Sequence, residues 1–238
     1  MTPAIILVRP QLGMNIGMAA RAMANFGLAD LRLVRPRDGW PNPDAGPAAA
    51  GADAVLEGAA VFDSVADALH DCHHTYATTV RPREFTKPVV TPRAAAAAIR
   101  NQEPLRAGIL FGPERSGLTA DDLAGIHTII TCPVSAGFGS LNLAQAVLLV
   151  AYELFQTNAV PSAKLDLPPA PHGEVAGMLA QLDASLEAAG YFHVPDRAAV
   201  TRRTLAHMLT SPGFTSEQVR TLRGVIRALS EARRPRNG

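Results

Sequence analysis

Residues 4–34 read AIILVRPQLGMNIGMAARAMANFGLADLRLV. Ala4–Arg9 is an apolar run ending in one arginine, the pattern of a buried strand. Asn15–Phe26 has helical spacing and stops at Gly27. Leu31–Val34 is a second short strand, closed by Arg35-Pro36. Strand, helix and strand in one stretch form the repeating unit of a parallel sheet. The alternation continues downstream. Gly39–Pro47 reads as a loop too rich in proline for regular structure. Ser64-Val-Ala-Asp67 is a capping pattern that opens a helix to about Asp71. Thr75–Thr79 is a strand, and Arg81–Pro92 a loop. Thr91 caps an alanine-rich helix with Pro92 at its first position. Ala107–Phe111 is a strand, Thr119-Ala-Asp-Asp122 caps a short helix, and His127–Cys132 is another strand. Leu141–Gln156 is a long apolar helix. The expected fold class is α/β, a parallel sheet with helices on both faces.

Residues 159–172 (AVPSAKLDLPPAPH) contain four prolines and read as a linker. Beyond them the periodicity is helical only. Glu174–Ala189 forms one helix, Asp196 caps a second, and Thr215-Ser-Glu-Gln218 is a capping box for a third. The expected domains are 1–158, the linker 159–172, and a helical extension 173–238. Charge follows this division. The 238 residues carry a net charge of +1, but residues 196–238 hold nine arginines against three acids. A basic tail on an acidic body suits a polyanionic partner.

The composition excludes several classes. No run reaches 18 apolar residues, so no membrane span is expected. Two cysteines, Cys72 and Cys132, make neither a disulfide framework nor a metal cluster. No signal peptide is legible, and a soluble cytoplasmic protein is expected. H-E-x-x-H, C-x-x-C, G-x-S-x-G and Walker patterns are absent from the sequence, and no metal is expected. The adjacent His73 and His74 read as structural. In an open parallel sheet, ligands bind beyond the carboxyl ends of strands. Four loops at such positions are unusual: Pro10–Arg21, Thr78–Lys87, Phe111–Leu118 and Cys132–Asn142. They are rich in Gly, Asn, Ser and Arg, which suits close backbone approach to a polar ligand. From the residues themselves, a nucleotide-dependent α/β enzyme and ordinary glycine turns both remain open.

Three of these loops resemble the motifs of the SpoU (TrmH-like) branch of the SPOUT RNA methyltransferases. The first, N-x-G-x-x-x-R, stands as Asn15-Ile-Gly17-Met-Ala-Ala-Arg21. The second stands as Phe111-Gly-Pro-Glu-Arg-Ser-Gly-Leu118, and the third, S-L-N-[LV]-x-x-A, as Ser140-Leu-Asn-Leu-Ala-Gln-Ala146. The resemblance covers about residues 3–158. The remainder is similar to the extension of the TrmJ-type tRNA 2′-O-methyltransferases, through Tyr191-Phe-His-Val, Arg202-Arg203 and Leu222-Arg223-Gly224. The resemblance implies a sheet with a C-terminal trefoil knot, S-adenosylmethionine as cofactor, and a homodimer with each site shared between subunits. It implies tRNA as substrate, with the ribose at nucleotide 32 of the anticodon loop as target, and neither DNA nor a membrane as partner. Ribosomal RNA, another tRNA site, or a knotted RNA binder without catalysis are the competing readings.

The same resemblance assigns Arg21, Asn15, Glu114, Ser140 and Asn142 to catalysis. The family motif gives Arg21 the proton-removing step, but arginine is a poor base, so Arg21 is expected to grip a phosphate and stabilise the developing alkoxide, with a deprotonated Arg21 acting as base the alternative. Asn15 and Asn142 would position it, Glu114 could pair with Arg21 or Arg115, and Ser140 would cap the last helix. Cofactor contacts, largely through backbone, fall on Thr78, Thr79, Val80, Gly112, Cys132, Gly139, Ser140 and Leu141. Arg21, Arg81, Arg83, Arg115, Arg202 and Arg203 are the expected RNA contacts, with Lys87 beside Arg81 and Arg83.

Overall fold

The computed structural model describes residues 2–79, 87–135, 137, 139–156, 168–192 and 195–232. Seven strands form one sheet: β1 (Ala4–Val8), β2 (Leu31–Val34), β3 (Ala60–Phe62), β4 (His74–Thr78), β5 (Val89–Val90), β6 (Ala107–Phe111) and β7 (Thr128–Ile130). Their order is β3-β2-β1-β6-β4-β7-β5, and every pair is parallel. Side chains alternate across it. Ile5 and Leu7 enter one core, with α1 (Gly13–Asn25), α5 (Pro92–Asn101) and α7 (Leu143–Gln156). Ala4, Ile6 and Val8 enter the other, with α4 (Val65–Ala68) and α6 (Ala120–Ala124). Burial on both faces explains why β1 and β6 are apolar without alternation. The α/β expectation holds: the sheet is parallel and helices flank both of its faces.

Several local expectations need correction. The stretch read as loop, Gly39–Pro47, runs into α2 (Ala45–Ala49), and α3 (Asp53–Glu57) follows it. Pro47 lies in the first turn of α2, where a missing N–H breaks no helical bond. α2 packs directly on α1: a Cβ at Gly17 would lie 2.1 Å from the Ala45 carbonyl oxygen. That contact, absent from local periodicity, explains the glycine of the first motif. The loop read as Arg81–Pro92 contains β5 at the sheet edge. Residues 80–86, which include Val80, Arg81 and Arg83, lie outside the described residues.

Beyond the sheet, α8 (His172–Ala188), α9 (Pro195–Thr210) and α10 (Ser216–Ala232) surround a small cluster of Ala170, Val175, Met178 and Val219. α9 begins at Pro195, one residue before the expected cap position Asp196. Proline's fixed φ suits the first helical position, which moves Asp196 inside the turn. The end of the Pro-rich segment is pinned, since the Ala170 N–H donates to the Phe214 carbonyl at 2.7 Å.

Candidate active site

β1 and β6 lie side by side at the middle of the sheet, but the chain leaves them in opposite directions. After β1 it builds β2 and β3 on one side; after β6 it builds β7 on the other. This switch point opens a crevice at the carboxyl edge. The helix that follows β1, α1, and the loop after β6 carry the first two sequence motifs to it.

The motifs meet through a chain of hydrogen bonds. Asn15 is buried in the first turns of α1, 3% exposed. Its Nδ2 donates to Glu114 Oε1 at 2.7 Å, and its Oδ1 accepts from Asn142 Nδ2 at 3.1 Å. The Gln11 backbone N–H fills the other Glu114 oxygen, Oε2, at 2.9 Å. One asparagine thus ties residues from all three motifs. Both the oxygen and the nitrogen of the buried Asn15 amide have partners. Glu114 therefore takes its partners from the loop after β1 and the start of α1, and not from Arg21 or Arg115, the partners expected. Those two arginines are exposed and make no hydrogen bond or ion pair among the described residues.

Arg21 stands apart from this chain of bonds for a geometric reason. Six residues at about 100° each put it roughly 120° around α1 from Asn15. It shares that side with Met14, which is 53% exposed, and Met18. On α7, which packs against α1, Leu148, Leu149, Tyr152 and Phe155 are also exposed. Phe26 binds the two helices together, its ring 5.8 Å from both Tyr152 and Phe155.

Ser140 does not cap α7. Asn142 does: its Oδ1 accepts the Ala144 N–H at 2.8 Å, and Gln145 Oε1 accepts the Asn142 N–H at 2.9 Å. The spacing Asn142-x-x-Gln145 is a capping signature legible in the sequence. Ser140 lies two residues earlier and is exposed.

Of the expected cofactor residues that the structure describes, Thr78, Thr79, Gly112 and Cys132 lie at or just past the ends of β4, β6 and β7, neighbours in the sheet. Thr78 Oγ1 donates to the Leu110 carbonyl at 3.1 Å, and the Thr79 carbonyl accepts from Thr131 Oγ1 at 2.9 Å. A Cβ at Gly112 would come 2.5 Å from the Leu118 nitrogen, so glycine lets that loop fold back on itself. Cys132 is buried, and burial pushes its thiol up, which keeps it neutral. Gly139, Ser140 and Leu141 lead from there into α7.

Lys87 corrects the expected basic loop. It is buried, and Nζ donates to the carbonyls of Ile126 (2.5 Å) and Ala124 (3.2 Å). Burial pulls the ammonium down to about 8. In the extension, Arg202 is held by Asp183 and Glu187, and Arg203 by Asp121 of α6. Arg220, Arg223 and Arg227 are exposed on α10. No group of histidines, cysteines and carboxylates suited to a metal occurs among the described residues. No helix there is long and apolar enough to cross a membrane.

A family model described as the SpoU rRNA Methylase family matches residues 3–152. The chain belongs to this family. Among solved structures it is similar to a TrmJ from Z. mobilis ZM4, with a TM-score of 0.91 and 58% identity over 96% of this chain and 99% of that one. A tRNA (cytidine/uridine-2'-O-)-methyltransferase TrmJ from Photorhabdus laumondii is 39% identical over 151 residues, 63% of this chain and 62% of its own length. The corresponding TrmJ from Klebsiella pneumoniae is 29% identical over 95% of this chain and 96% of its own. The three SpoU motifs all fall inside the matched span.

Proposed function

We propose that this chain is an S-adenosylmethionine-dependent ribose 2′-O-methyltransferase of tRNA, acting at nucleotide 32 of the anticodon loop as a cytoplasmic homodimer. One observation carries the reading. The Asn142–Asn15–Glu114 chain of bonds joins all three SpoU motifs at the switch point of the sheet. The similarity to TrmJ proteins, which includes the extension in the Z. mobilis and Klebsiella cases, favours tRNA over ribosomal RNA.

The residues at the ends of β4, β6 and β7 fit the cofactor. They offer backbone groups, hydroxyls and a neutral thiol, with no charged side chain among Thr78, Thr79, Gly112, Cys132, Gly139, Ser140 and Leu141. Such a set suits an adenosine better than a triphosphate. When bound, S-adenosylmethionine supplies an electrophilic methyl on a sulfonium. The insertion of β7 between β4 and β5 is consistent with the family's trefoil threading.

Arg21 would work across the dimer. Its position on an exposed apolar strip of α1 and α7 fits an interface that delivers the guanidinium to the partner's Glu114 and Asn142. There it would bind the phosphate beside the target ribose and lower the energy of the developing alkoxide. Asn15 and Asn142 would hold the receiving loops in register. Alignment of the attacking oxygen with the methyl can supply roughly 7–11 kcal/mol of the barrier. The Arg220, Arg223 and Arg227 side of α10 would grip tRNA phosphates without reading sequence.

The test is methyl transfer from labelled S-adenosylmethionine to tRNA transcripts, with the product mapped by 2′-O-methyl-sensitive sequencing. A single ribose modification at nucleotide 32 is expected. Modification of ribosomal RNA and not of tRNA would overturn the substrate, and a base-methylated product would overturn the reaction.

A further inference from the structure

Arg9 is the first residue beyond β1 and has φ of 47°. That is left-handed backbone, uncommon for a residue with a side chain. Its N–H still donates to the Val34 carbonyl at 2.7 Å, so the turn begins while the sheet is still paired. Its guanidinium meets Asp122 with both prongs, Nη1 to Oδ1 at 3.0 Å and Nη2 to Oδ2. Asp122 is buried in the first turn of α6. Its Oδ2 also accepts the Thr119 N–H at 2.7 Å and the Thr119 hydroxyl at 2.8 Å, closing the capping box of that helix. Arg9 and the two Thr119 donors outweigh the burial of the carboxyl and hold it below its ordinary range.

The pair closes a ring. Gln11, two residues after Arg9, donates its N–H to Glu114, and Asp122 lies eight residues after Glu114. Just before Glu114 the chain passes so close to its own return that a Cβ at Gly112 would lie 2.5 Å from the Leu118 nitrogen and 2.7 Å from the Gly117 carbonyl carbon. The loop after β6 is therefore attached to the loop after β1 at two points. Glu114 binds Gln11 and Asn15 at the tip, and Asp122 binds Arg9 at the base. A single attachment would let the loop pivot; two fix its angle. A partly exposed ion pair contributes little stability by itself, so its effect lies in this geometry.

We propose that Arg9 and Asp122 are positioning residues for Glu114, setting the angle at which its carboxylate meets Asn15. The activity arm of the test rests on the methyltransferase reading; the exchange arm does not. Arg9→Met and Asp122→Asn are each expected to lower kcat about 10–100-fold, the scale of a misplaced active-site group, with KM for S-adenosylmethionine changed less than about twofold. The double variant should be no slower than the slower single one, because both remove one interaction. Ser64→Ala, which removes the α4 cap and none of the hydrogen bonds of this ring, should lower thermal stability and leave kcat unchanged. In parallel, hydrogen exchange at the Gln11 amide reads its bond to Glu114 directly. Its protection should fall about tenfold or more in both ring variants and persist in Ser64→Ala. Unchanged Gln11 protection in Arg9→Met overturns the proposal, whatever the activity. So does a double variant whose kcat losses multiply. A wild-type protein that methylates no RNA overturns the methyltransferase reading instead, and the exchange data then decide the positioning role.

Discussion

Acid should destabilise this protein before its carboxylates titrate, through the seam where α8 meets the sheet. The Cys72 carbonyl accepts the His172 N–H at 2.7 Å, and the His70 carbonyl accepts that of Gly173 at 2.9 Å. His127 Nδ1 lies 3.1 Å from the Thr75 N–H and 2.7 Å from its hydroxyl. His73 Nδ1, His74 Nε2 and His172 Nδ1 are buried without a hydrogen-bond partner. Burial pushes His74 and His172 down to about 4 and His127 down to about 3. Mutual repulsion on protonation adds to this, between His73 and His74, His70 and His172, and His127 and its neighbours His74, His172 and Lys87. Asp71 and Glu174 oppose it only at His73. In the unfolded chain these rings titrate near about 6.5. Between there and about 4 the unfolded state binds more protons, so stability is full above the unfolded value and falls with pH. At about pH 5 each of the three rings costs roughly 2 kcal/mol, or about 6 kcal/mol together, against a typical total of 5–15 kcal/mol. Urea unfolding at about pH 7.5, 6 and 5 measures this, since carboxylates stay ionised in both states over most of that range. His172→Gln should flatten the dependence by about 2 kcal/mol. A free energy constant within about 1 kcal/mol down to about pH 5 would refute the reasoning.

Arg21→Ala should abolish most methyl transfer while calorimetry finds S-adenosylmethionine affinity nearly unchanged, because its partner is RNA. Mixed with Glu114→Ala subunits, it should recover about a quarter of wild-type activity, since half of randomly paired dimers then carry one intact shared site. No recovery on mixing would show that the site is built within one chain. Gly17→Ala drives a methyl into the Ala45 carbonyl and should destabilise by about 1–3 kcal/mol, read as a drop of several degrees in Tm. Arg220→Gln with Arg227→Gln should weaken tRNA binding, reduce the salt slope by about two, and lose its effect at high salt. An unchanged slope would remove α10 from the RNA surface.

Much of the architecture is local and was legible. The apolar runs of β1 and β6 announce strands buried on both faces, because no face of them meets water. Thr91-Pro92 and Thr119 through Asp122 marked helix starts, since capping is a contact between residues three apart. The order of the three motifs at strand ends was likewise readable, and so was the family. What joins the motifs was not. Asn15 and Asn142 are 127 residues apart, and only the sheet order brings their side chains to 3.1 Å. The sequence suggested an arginine partner for Glu114, but the strand-end turn at Arg9 put the Gln11 amide and Asn15 there first. Lys87 read as a cation of an RNA-facing loop; tertiary packing set two carbonyls, at the end of α6 and just before β7, within its reach, and the lysine turned inward to meet them. Helical periodicity could say that Arg21 and Asn15 lie on different sides of α1. Only the packing of α1 against α2 and α7 decided that Asn15 is buried in the site and Arg21 left on an open apolar strip, because burial is set by which elements cover a helix and not by the helix itself.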